Sequence, residues 1–225
     1  MISIIIPIHN QADKLKACLN SILKQTETDW EIILVDDGST DGLKGKIDFP
    51  KDRFYFYSKA NEGSSPTRNY GFERSKGEYV IFCDADIIMR PNMLETMKKK
   101  LEENPQISFV YGSFKYGAKL FRLFPYDEGR LRQMPFIHTT SLIRRKDFPG
   151  FDTTIKRLQD WDLWLTMLEQ RKRGIFIDEV LFTTQIGNGH FSNWLPKITY
   201  RIFPFLPSVK KYQQAVEIIK KKHKL

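Results

Sequence analysis

Short apolar runs alternate with helical patterns through the first half of the chain. The runs at 2–8, 32–35, 54–57 and 79–83 have the length of buried strands, and Leu15, Leu19 and Ile22 between the first two recur at helical spacing. Strands that alternate with helices need crossover connections, which give a mostly parallel sheet with helices on its faces. The sequence therefore predicts an α/β fold.

The sequence also predicts further helices and strands. Further helices are expected from about Pro66 to Gly77, from Asn92 to Glu102, from Asp160 to about Lys172 and from Ser208 onward. Further strands are expected at 109–114, 140–143, 175–177 and 180–184. An irregular stretch separates the first two of these strands, and no internal repeat is visible.

Composition excludes several classes of protein. Of the 225 residues, 41% are hydrophobic and 28% are charged, which is ordinary usage for a folded protein and excludes a wholly disordered or low-complexity chain. No apolar run approaches the roughly 18 to 20 residues that cross a bilayer, so we expect a cytoplasmic protein. Cys18 and Cys83 lie in a predicted helix and a predicted strand, which favours buried free thiols over a disulfide or a zinc site.

The positive charge is concentrated at the end of the chain. Residues 190–225 contain eight Lys or Arg and one acid, Glu217, and so account for +7 of the net charge of +9. We therefore divide the chain into one domain at 1–189 and a basic amphipathic tail at 190–225. This concentrated charge indicates a binding partner of the tail and gives no information about the fold.

Polar residues follow each of the four predicted parallel strands. These residues are His9 and Asn10, Asp36 and Asp37, 61–63, and Asp84 and Asp86. The carboxyl ends of parallel strands share one edge of the sheet, and ligands bind in the crevice outside that edge. The needs of turns explain any one such cluster. Four in succession favour a binding site.

The kind of ligand follows in part from motifs that are absent. The segment after the first strand lacks the glycines of a dinucleotide site, and the sequence has no Gly-Lys-Ser/Thr phosphate loop. A phosphate at this edge would instead need a metal to neutralise its charge. Asp84 and Asp86 flank a small residue at the end of an apolar strand, and carboxylates with substrate phosphates suit Mg²⁺ or Mn²⁺. The alternative is a solvated turn.

Five motifs resemble those of the family 2 glycosyltransferases, in the order and rough spacing of that family, over residues 1–185. They are Pro7-Ile8-His9-Asn10, Asp36-Asp37-Gly38-Ser39-Thr40-Asp41, Asn61-Glu62-Gly63 with Arg68-Asn69-Tyr70-Gly71, Asp84-Ala85-Asp86, and Gln159-Asp160-Trp161-Asp162-Leu163-Trp164. The resemblance implies a single GT-A domain that transfers a sugar with inversion. Its nucleotide-sugar half would span about 1–114 and its acceptor half about 115–189.

The resemblance also implies roles for single residues. Asp37 would accept the base N–H of a uridine-type nucleotide, and Asp84 would contact the ribose. Asp86 would bind Mn²⁺ or Mg²⁺ on the diphosphate, and Asp160 would be the general base that takes the proton of the acceptor hydroxyl. Three further segments are expected to line the donor pocket or complete the metal site: Pro7 with His9 and Asn10, Arg68, and His190.

Some positions depart from the family pattern. Gln159 stands where Glu is frequent, Ile87 where a further Asp is common, and Gly187 where many members have a metal-binding His, which makes His190 a displaced candidate. A catalytically inactive relative that acts as a partner subunit or binding module is therefore the alternative function. Asp160 has an alternative as a helix N-cap, and Asp162 is expected to be an acid in the first helical turn. His138 either lines the acceptor side or is a surface histidine.

The expected reaction moves a sugar from a nucleoside diphosphate sugar, favouring a UDP-sugar, to a saccharide or lipid-linked acceptor in bacterial cell-surface polysaccharide synthesis. The tail favours peripheral attachment to an anionic inner membrane face, because Trp194, Ile198 and Ile202 alternate with basic residues. Packing of the tail on the domain is the alternative. Nucleic-acid binding has no support beyond charge. The oligomeric state stays open, with a homodimer as one option.

Overall fold

The computed structural model describes residues 1–45, 52–186 and 206–225. The strands are β1 (Ile2–Ile8), β2 (Trp30–Asp37), β3 (Phe54–Lys59), β4 (Tyr79–Phe82), β5 (Ile87–Met89), β6 (Phe109–Tyr116), β7 (Lys119–Phe121), β8 (Leu142–Arg144) and β9 (Gly174–Thr184). The helices are α1 (Ala12–Leu23), α2 (Ser64–Arg74), α3 (Met93–Glu102), α4 (Glu128–Gln133), α5 (Gln159–Glu169) and α6 (Pro207–Lys222). The predicted α/β fold is confirmed.

The strands form one sheet in the order β3-β2-β1-β4-β8-β6-β9-β5, with β7 paired to β6. The first four of these strands are parallel, as predicted. Beyond them β8 is antiparallel to β4 and to β6, whereas β6 and β9 are parallel. The chain order reverses at β1, which has β2 on one side and β4 on the other, so the carboxyl end of β1 is the switch point where a ligand crevice opens.

The central strands are buried on both faces. All seven residues of β1 are buried, which is why this strand is a continuous β-branched run without alternation. Leu15 and Ile22 of α1 cover one face of the sheet. On the other face α2 approaches very closely, since a Cβ added at Gly71 would lie 2.6 Å from Ile5 Cγ2. Glycine at 71 therefore sets the distance between α2 and the sheet.

Three features of the second half differ from the expectation. β5 was not predicted, and β7 with α4 lies in the stretch that was expected to be irregular. The two short strands expected at 175–177 and 180–184 are one strand, β9. The register moves from Gly112↔Ile177 to Ser113↔Val180, so Asp178 and Glu179 form a bulge. This bulge places two charged residues within an apolar strand, which explains why the sequence read as two strands.

The C-terminal helix α6 packs on the domain. Val209 and Ile219 are fully buried, and Ile219 belongs to the core that contains Trp161 and Trp164 of α5. Residues 206–225 thus pack on the domain. The membrane interpretation depends on apolar tail residues of which only Leu206 is among the described residues. The others lie outside them: Trp194, Ile198, Ile202, Phe203 and Phe205.

Lys222, near the end of α6, is paired with two carboxylates of the domain. Its ammonium lies 2.7 Å from Asp152 Oδ2 and 2.7 Å from Asp162 Oδ1, because α6 ends against the first turn of α5. The neighbouring lysines 220, 221 and 224 are exposed.

Two further sequence expectations can be compared with the structure. Cys18 and Cys83 are buried free thiols with their sulfur atoms 3.7 Å apart. Within the ranges described, the protein contains no helix of the length and hydropathy needed to cross a membrane.

Candidate active site

The site begins where β1 and β4 separate. Their ladder ends at Ile5↔Phe82, followed by a hydrogen bond from Cys83 N to Ile5 O at 2.9 Å. Pro7 lies just beyond this point and still pairs in register with Val35 of β2. A proline has no N–H to give to a neighbouring strand, so its position after the last β4 partner costs the ladder nothing. The crevice opens on that side of Pro7.

Arg68 connects the segment after β4 to the helix that carries Asp160. This arginine on α2 donates from Nη2 to Asp84 Oδ1 at 2.7 Å and from Nη1 to Gln159 Oε1 at 3.4 Å. Ser64 Oγ also donates to Gln159 Oε1, at 2.9 Å. Gln159, a departure from the family pattern, therefore holds α5 against α2 through an uncharged acceptor.

The pKa values of the two carboxyl groups after β4, Asp84 and Asp86, are shifted in opposite directions. Although burial disfavours the charge of Asp84, the Arg68 guanidinium and the nearby His138 hold its pKa below the usual value. Burial and the neighbouring Asp84 raise the pKa of Asp86 to about 6. A half-buried carboxylate beside an ionised one is an arrangement that a divalent cation stabilises, so this pair fits a hard metal ion that takes oxygen ligands.

A third protein ligand for such an ion is not found in residues 1–45, 52–186 and 206–225, which hold no group of three or more His, Cys, Asp or Glu arranged around one point. The candidate His190 and the family position Gly187 both lie outside these ranges.

Asp160 is the second residue of α5 and not its N-cap, so the capping alternative is wrong. The N-cap is Leu158, at a left-handed φ of 57° that leucine adopts only at a cost in free energy. The Asp160 carboxylate accepts a hydrogen bond from Trp161 N at 2.9 Å. Burial raises the pKa of Asp160, while His138, the Trp161 N–H and Arg68 act in the opposite direction. A raised pKa makes a carboxylate a better proton acceptor.

His138 belongs to the site. Its ring lies 5.2 Å from that of Phe114 and 5.1 Å from that of Phe182, between strands β6 and β9. Thr140 N donates to Nδ1 at 3.0 Å, so the neutral ring carries its proton on Nε2. Burial lowers the pKa of His138, and the carboxylates of Asp84 and Asp160 act against that effect. His138 is therefore a half-buried residue packed between aromatic rings and not a surface histidine, and it lies near both Asp84 and Asp160.

Asp37 fixes the loop that follows β3. Its Oδ1 accepts from Lys59 Nζ at 3.0 Å and Glu62 N at 2.9 Å, and its Oδ2 accepts from Gly63 N at 2.8 Å. Although burial favours the neutral acid, these hydrogen bonds keep the pKa of Asp37 below its usual value. Gly63 has a φ of 96°, which only glycine adopts without strain. Lys59 was not identified from the sequence, because the predicted strand stops at residue 57, whereas β3 continues to Lys59.

His9 and Asn10 line the edge beside this loop. His9 Nδ1 lies 2.9 Å from the carbonyl oxygen of Asp37, which can only accept, so Nδ1 carries the proton. Asn10 has a φ of 52°, which asparagine tolerates better than most residues. Its Oδ1 accepts from Thr40 N at 2.8 Å, which joins the turns after β1 and β2. Both side chains are exposed to the crevice side of the sheet edge.

Comparison with known proteins agrees with this architecture. The structure aligns with TarS 1–349 of S. aureus in complex with UDP-GlcNAc at a TM-score of 0.72, with 18% identity, over 99% of this chain and 72% of that one. It aligns with the mannosyltransferase PcManGT of Pyrobaculum calidifontis in complex with GDP-Man and Mn²⁺ at a TM-score of 0.70, with 17% identity, over 98% and 73%. The fold is thus the GT-A fold of glycosyltransferases.

The sequence comparison gives the family. The model for glycosyl transferase family 2 matches residues 3–159, and the chain belongs to this family. An uncharacterized glycosyltransferase of Haemophilus influenzae is 27% identical over 190 residues, which are 76% of this chain and 63% of that protein. Glycosyltransferase GlyG of Streptococcus pneumoniae is 38% identical over 120 residues, 52% of this chain and 40% of that protein. The chain therefore spans less than two thirds of the length of these relatives.

Proposed function

We propose that this chain transfers a sugar from a nucleoside diphosphate sugar to an acceptor hydroxyl with inversion at the anomeric carbon. The observation that carries the proposal is the connection through Arg68, which binds Asp84 at 2.7 Å and Gln159, the residue before Asp160, at 3.4 Å. One rigid contact thereby holds donor carboxylates and a candidate base at a fixed separation across the crevice. A binding module has no need of a proton acceptor in that place.

The donor would lie along the sheet edge from β2 to β4. The Asp37 carboxylate, which Lys59 and the Glu62 and Gly63 N–H groups hold in place, would accept the base N–H. Pro7, His9, Asn10 and Arg68 would line the same pocket. We favour a UDP-sugar, and the complex of TarS with UDP-GlcNAc supports a donor of this class.

The diphosphate would lie next to Asp84 and Asp86. Asp86 would hold Mn²⁺ or Mg²⁺, with His190 as a further candidate ligand, and the complex of PcManGT with Mn²⁺ supports a divalent ion. Such an ion supplies Lewis-acid stabilisation of the leaving diphosphate. Arg68 keeps Asp84 ionised and oriented for the ribose, so the chain fixes the position of the donor before the acceptor arrives.

Asp160 would act as the general base in a single displacement. The acceptor oxygen forms a bond to the anomeric carbon, the bond from that carbon to the diphosphate breaks, and Asp160 receives the acceptor proton. A positioned base contributes about 10² to 10⁴ in rate. We propose a saccharide or a lipid-linked saccharide as acceptor and bacterial surface polysaccharide synthesis as the setting, with the enzyme in the cytoplasm or peripheral on the inner membrane face.

The test is a panel of UDP- and GDP-sugars with and without Mn²⁺, read by thermal shift. A ligand at 100 times its dissociation constant stabilises the folded state by about 2.7 kcal/mol, which a melting curve resolves. The best donor is then incubated with saccharide acceptors, and the anomeric configuration of the product is read by NMR. Stabilisation without transfer to any acceptor would favour the inactive partner subunit, and retention of configuration would contradict the single displacement.

A further inference from the structure

Lys14 is a buried lysine at the edge of the site. It lies in the first turns of α1 and is 9% exposed, whereas Asp13 and Lys16 on the same helix are exposed. Lysine is almost never buried to this degree without a partner. In the described part of the chain, the structure gives the Lys14 ammonium no hydrogen bond and no ion pair.

The backbone around Lys14 is joined directly to the segment that contains Asp86. Gln185 donates its backbone N–H to Asp86 O at 2.8 Å and its side-chain amide to Lys14 O at 3.3 Å. One turn along α1, Cys18 Sγ lies 3.8 Å from Asp84 O. The start of α1 therefore runs beside residues 84–86.

The electrostatics agree with this placement. Burial and the Asp84 carboxylate raise the pKa of Asp86, and the Lys14 ammonium acts in the opposite direction. The ammonium is thus close enough to influence Asp86, yet the two groups do not form an ion pair within 4.0 Å. The stem of Lys14 is buried while its ammonium still reaches water, so the charge is available to an anionic ligand at this edge of the site.

We propose that Lys14 binds the diphosphate of the donor, on the α1 side of the crevice. This inference rests on the proposed function. A compact ammonium on a long stem suits a phosphate oxygen, and a charge-assisted hydrogen bond of this kind is stronger than a neutral one. When the bond between the anomeric carbon and the diphosphate oxygen breaks, negative charge grows on the leaving group. Lys14 stabilises that charge with a side chain that is already in place.

The experiment compares Lys14→Met with Lys16→Met by isothermal titration calorimetry. Methionine keeps a long apolar stem and removes the charge, and Lys16 is an exposed lysine of the same helix. The ligands are uridine, UMP and UDP with the corresponding guanosine series, each with Mn²⁺ and with EDTA. We expect Lys14→Met to weaken diphosphate binding at least about tenfold in both conditions, to change nucleoside binding less than about twofold, and Lys16→Met to change neither.

The second readout is the melting temperature without ligand. Because methionine keeps the buried apolar stem, Lys14→Met should melt near the temperature of the wild type, and Lys14→Arg should bind the diphosphate within a few-fold of the wild type. A lower melting temperature together with an equal loss of nucleoside and diphosphate affinity would show a structural lysine and overturn the proposal.

Failure of this inference is distinguishable from failure of the proposed function. A wild type that binds UDP or GDP while Lys14→Met binds it equally well removes the role of Lys14 alone. A wild type that binds neither diphosphate contradicts the proposed function, and the role of Lys14 with it.

Discussion

His223 Nε2 lies 2.8 Å from Asp162 Oδ1, and this contact joins the end of α6 to the helix that carries Asp160. The same ring contacts Glu169 Oε1 through Nδ1 at 2.8 Å, and the Asp162 carboxylate also accepts from Lys222. His223 and Asp162 are both buried. We call His223, Lys222, Asp152, Asp162 and Glu169 the α6 clasp. Asp162 is two residues from Asp160 in α5. The clasp, which joins α6 to Asp162 and Glu169, therefore helps to fix the position of α5.

The first prediction concerns the stability that this clasp provides. His223→Ala leaves the buried Asp162 with Lys222 as its remaining partner, so we expect the free energy of unfolding to fall by about 2 kcal/mol. Urea unfolding measures the change. Lys224→Ala, at an exposed neighbouring position, should stay within about 0.5 kcal/mol of the wild type. Equal stability of the two variants would contradict a structural clasp.

The second prediction is a pH dependence of the same contact. The hydrogen bond from Lys222, with those from Thr154, lowers the pKa of Asp152 from 3.8 to about 2, with burial acting in the opposite direction. A depressed carboxyl pKa stabilises the fold above the unfolded value, and this contribution is lost as pH falls from about 4 toward 2. Because Asp152 is partly exposed, we expect the contribution to be about 1 kcal/mol.

The measurement is acid unfolding of Asp152→Asn beside the wild type. The two proteins should differ in stability at pH 6 and converge near pH 2, since protonation of Asp152 in the wild type then removes the charge that the variant lacks at every pH. Asp178→Asn, at an exposed acid of β9, serves as the control and should follow the wild type. A difference that persists unchanged at pH 2 would contradict the ionic cause.

Local pattern was enough to predict the parallel half of the sheet. Ile2–Ile8 is buried on both faces, and its uninterrupted run of apolar, mostly β-branched residues predicts such a strand. The polar residues that follow strands β1 to β4 also met at one edge, because topology alone brings carboxyl ends together. Asp84 and its neighbours were therefore found from sequence, and the family resemblance added their expected roles.

Long-range pairing explains most of what was missed. β5 has three residues and exists because it pairs with β9, which lies about ninety residues later. Asp162 was predicted to be an acid in the first helical turn. No residue near it in sequence indicates its contact with His223. Lys14 was not singled out from the sequence, because its place beside residues 84–86 depends on contacts such as that of Gln185, far along the chain, with its backbone oxygen. Such contacts are properties of the fold and leave no local signal.

The third prediction concerns Asp160 as the base. Asp160→Asn keeps an oxygen that can accept from Trp161 N but removes the proton acceptor, so transfer should fall at least about a hundredfold. Nucleoside diphosphate affinity and melting temperature should stay near those of the wild type. Single-turnover product formation measures the loss, and Asp13→Asn, an exposed acid on α1, is the control. Full activity of Asp160→Asn would leave Asp160 with a structural role.

The fourth prediction concerns Asp86 and the metal. If Asp86 binds a divalent ion on the diphosphate, Asp86→Asn should weaken UDP or GDP binding at least about tenfold in Mn²⁺ and change it little in EDTA. Calorimetry in the two buffers gives both values, and Asp13→Asn again provides a matched loss of one acidic charge. Wild-type affinity that is identical with Mn²⁺ and with EDTA would remove the metal from the proposed site.

The last prediction concerns the basic tail, in which one lysine packs on the domain and others are exposed. Lys222 belongs to the α6 clasp, whereas lysines 220, 221 and 224 are exposed and free to meet an anionic surface. Each basic residue near such a surface contributes about 1 kcal/mol, and the attraction is screened beyond about 8 Å at physiological salt. The wild type should therefore co-sediment with vesicles that contain acidic lipid, and less so as salt rises. Changing the three exposed lysines to Gln should reduce this binding without loss of stability, while the same change at the exposed lysines 16, 24 and 76 should leave most of it. Equal sedimentation with neutral and acidic vesicles at low salt would contradict membrane docking by the tail.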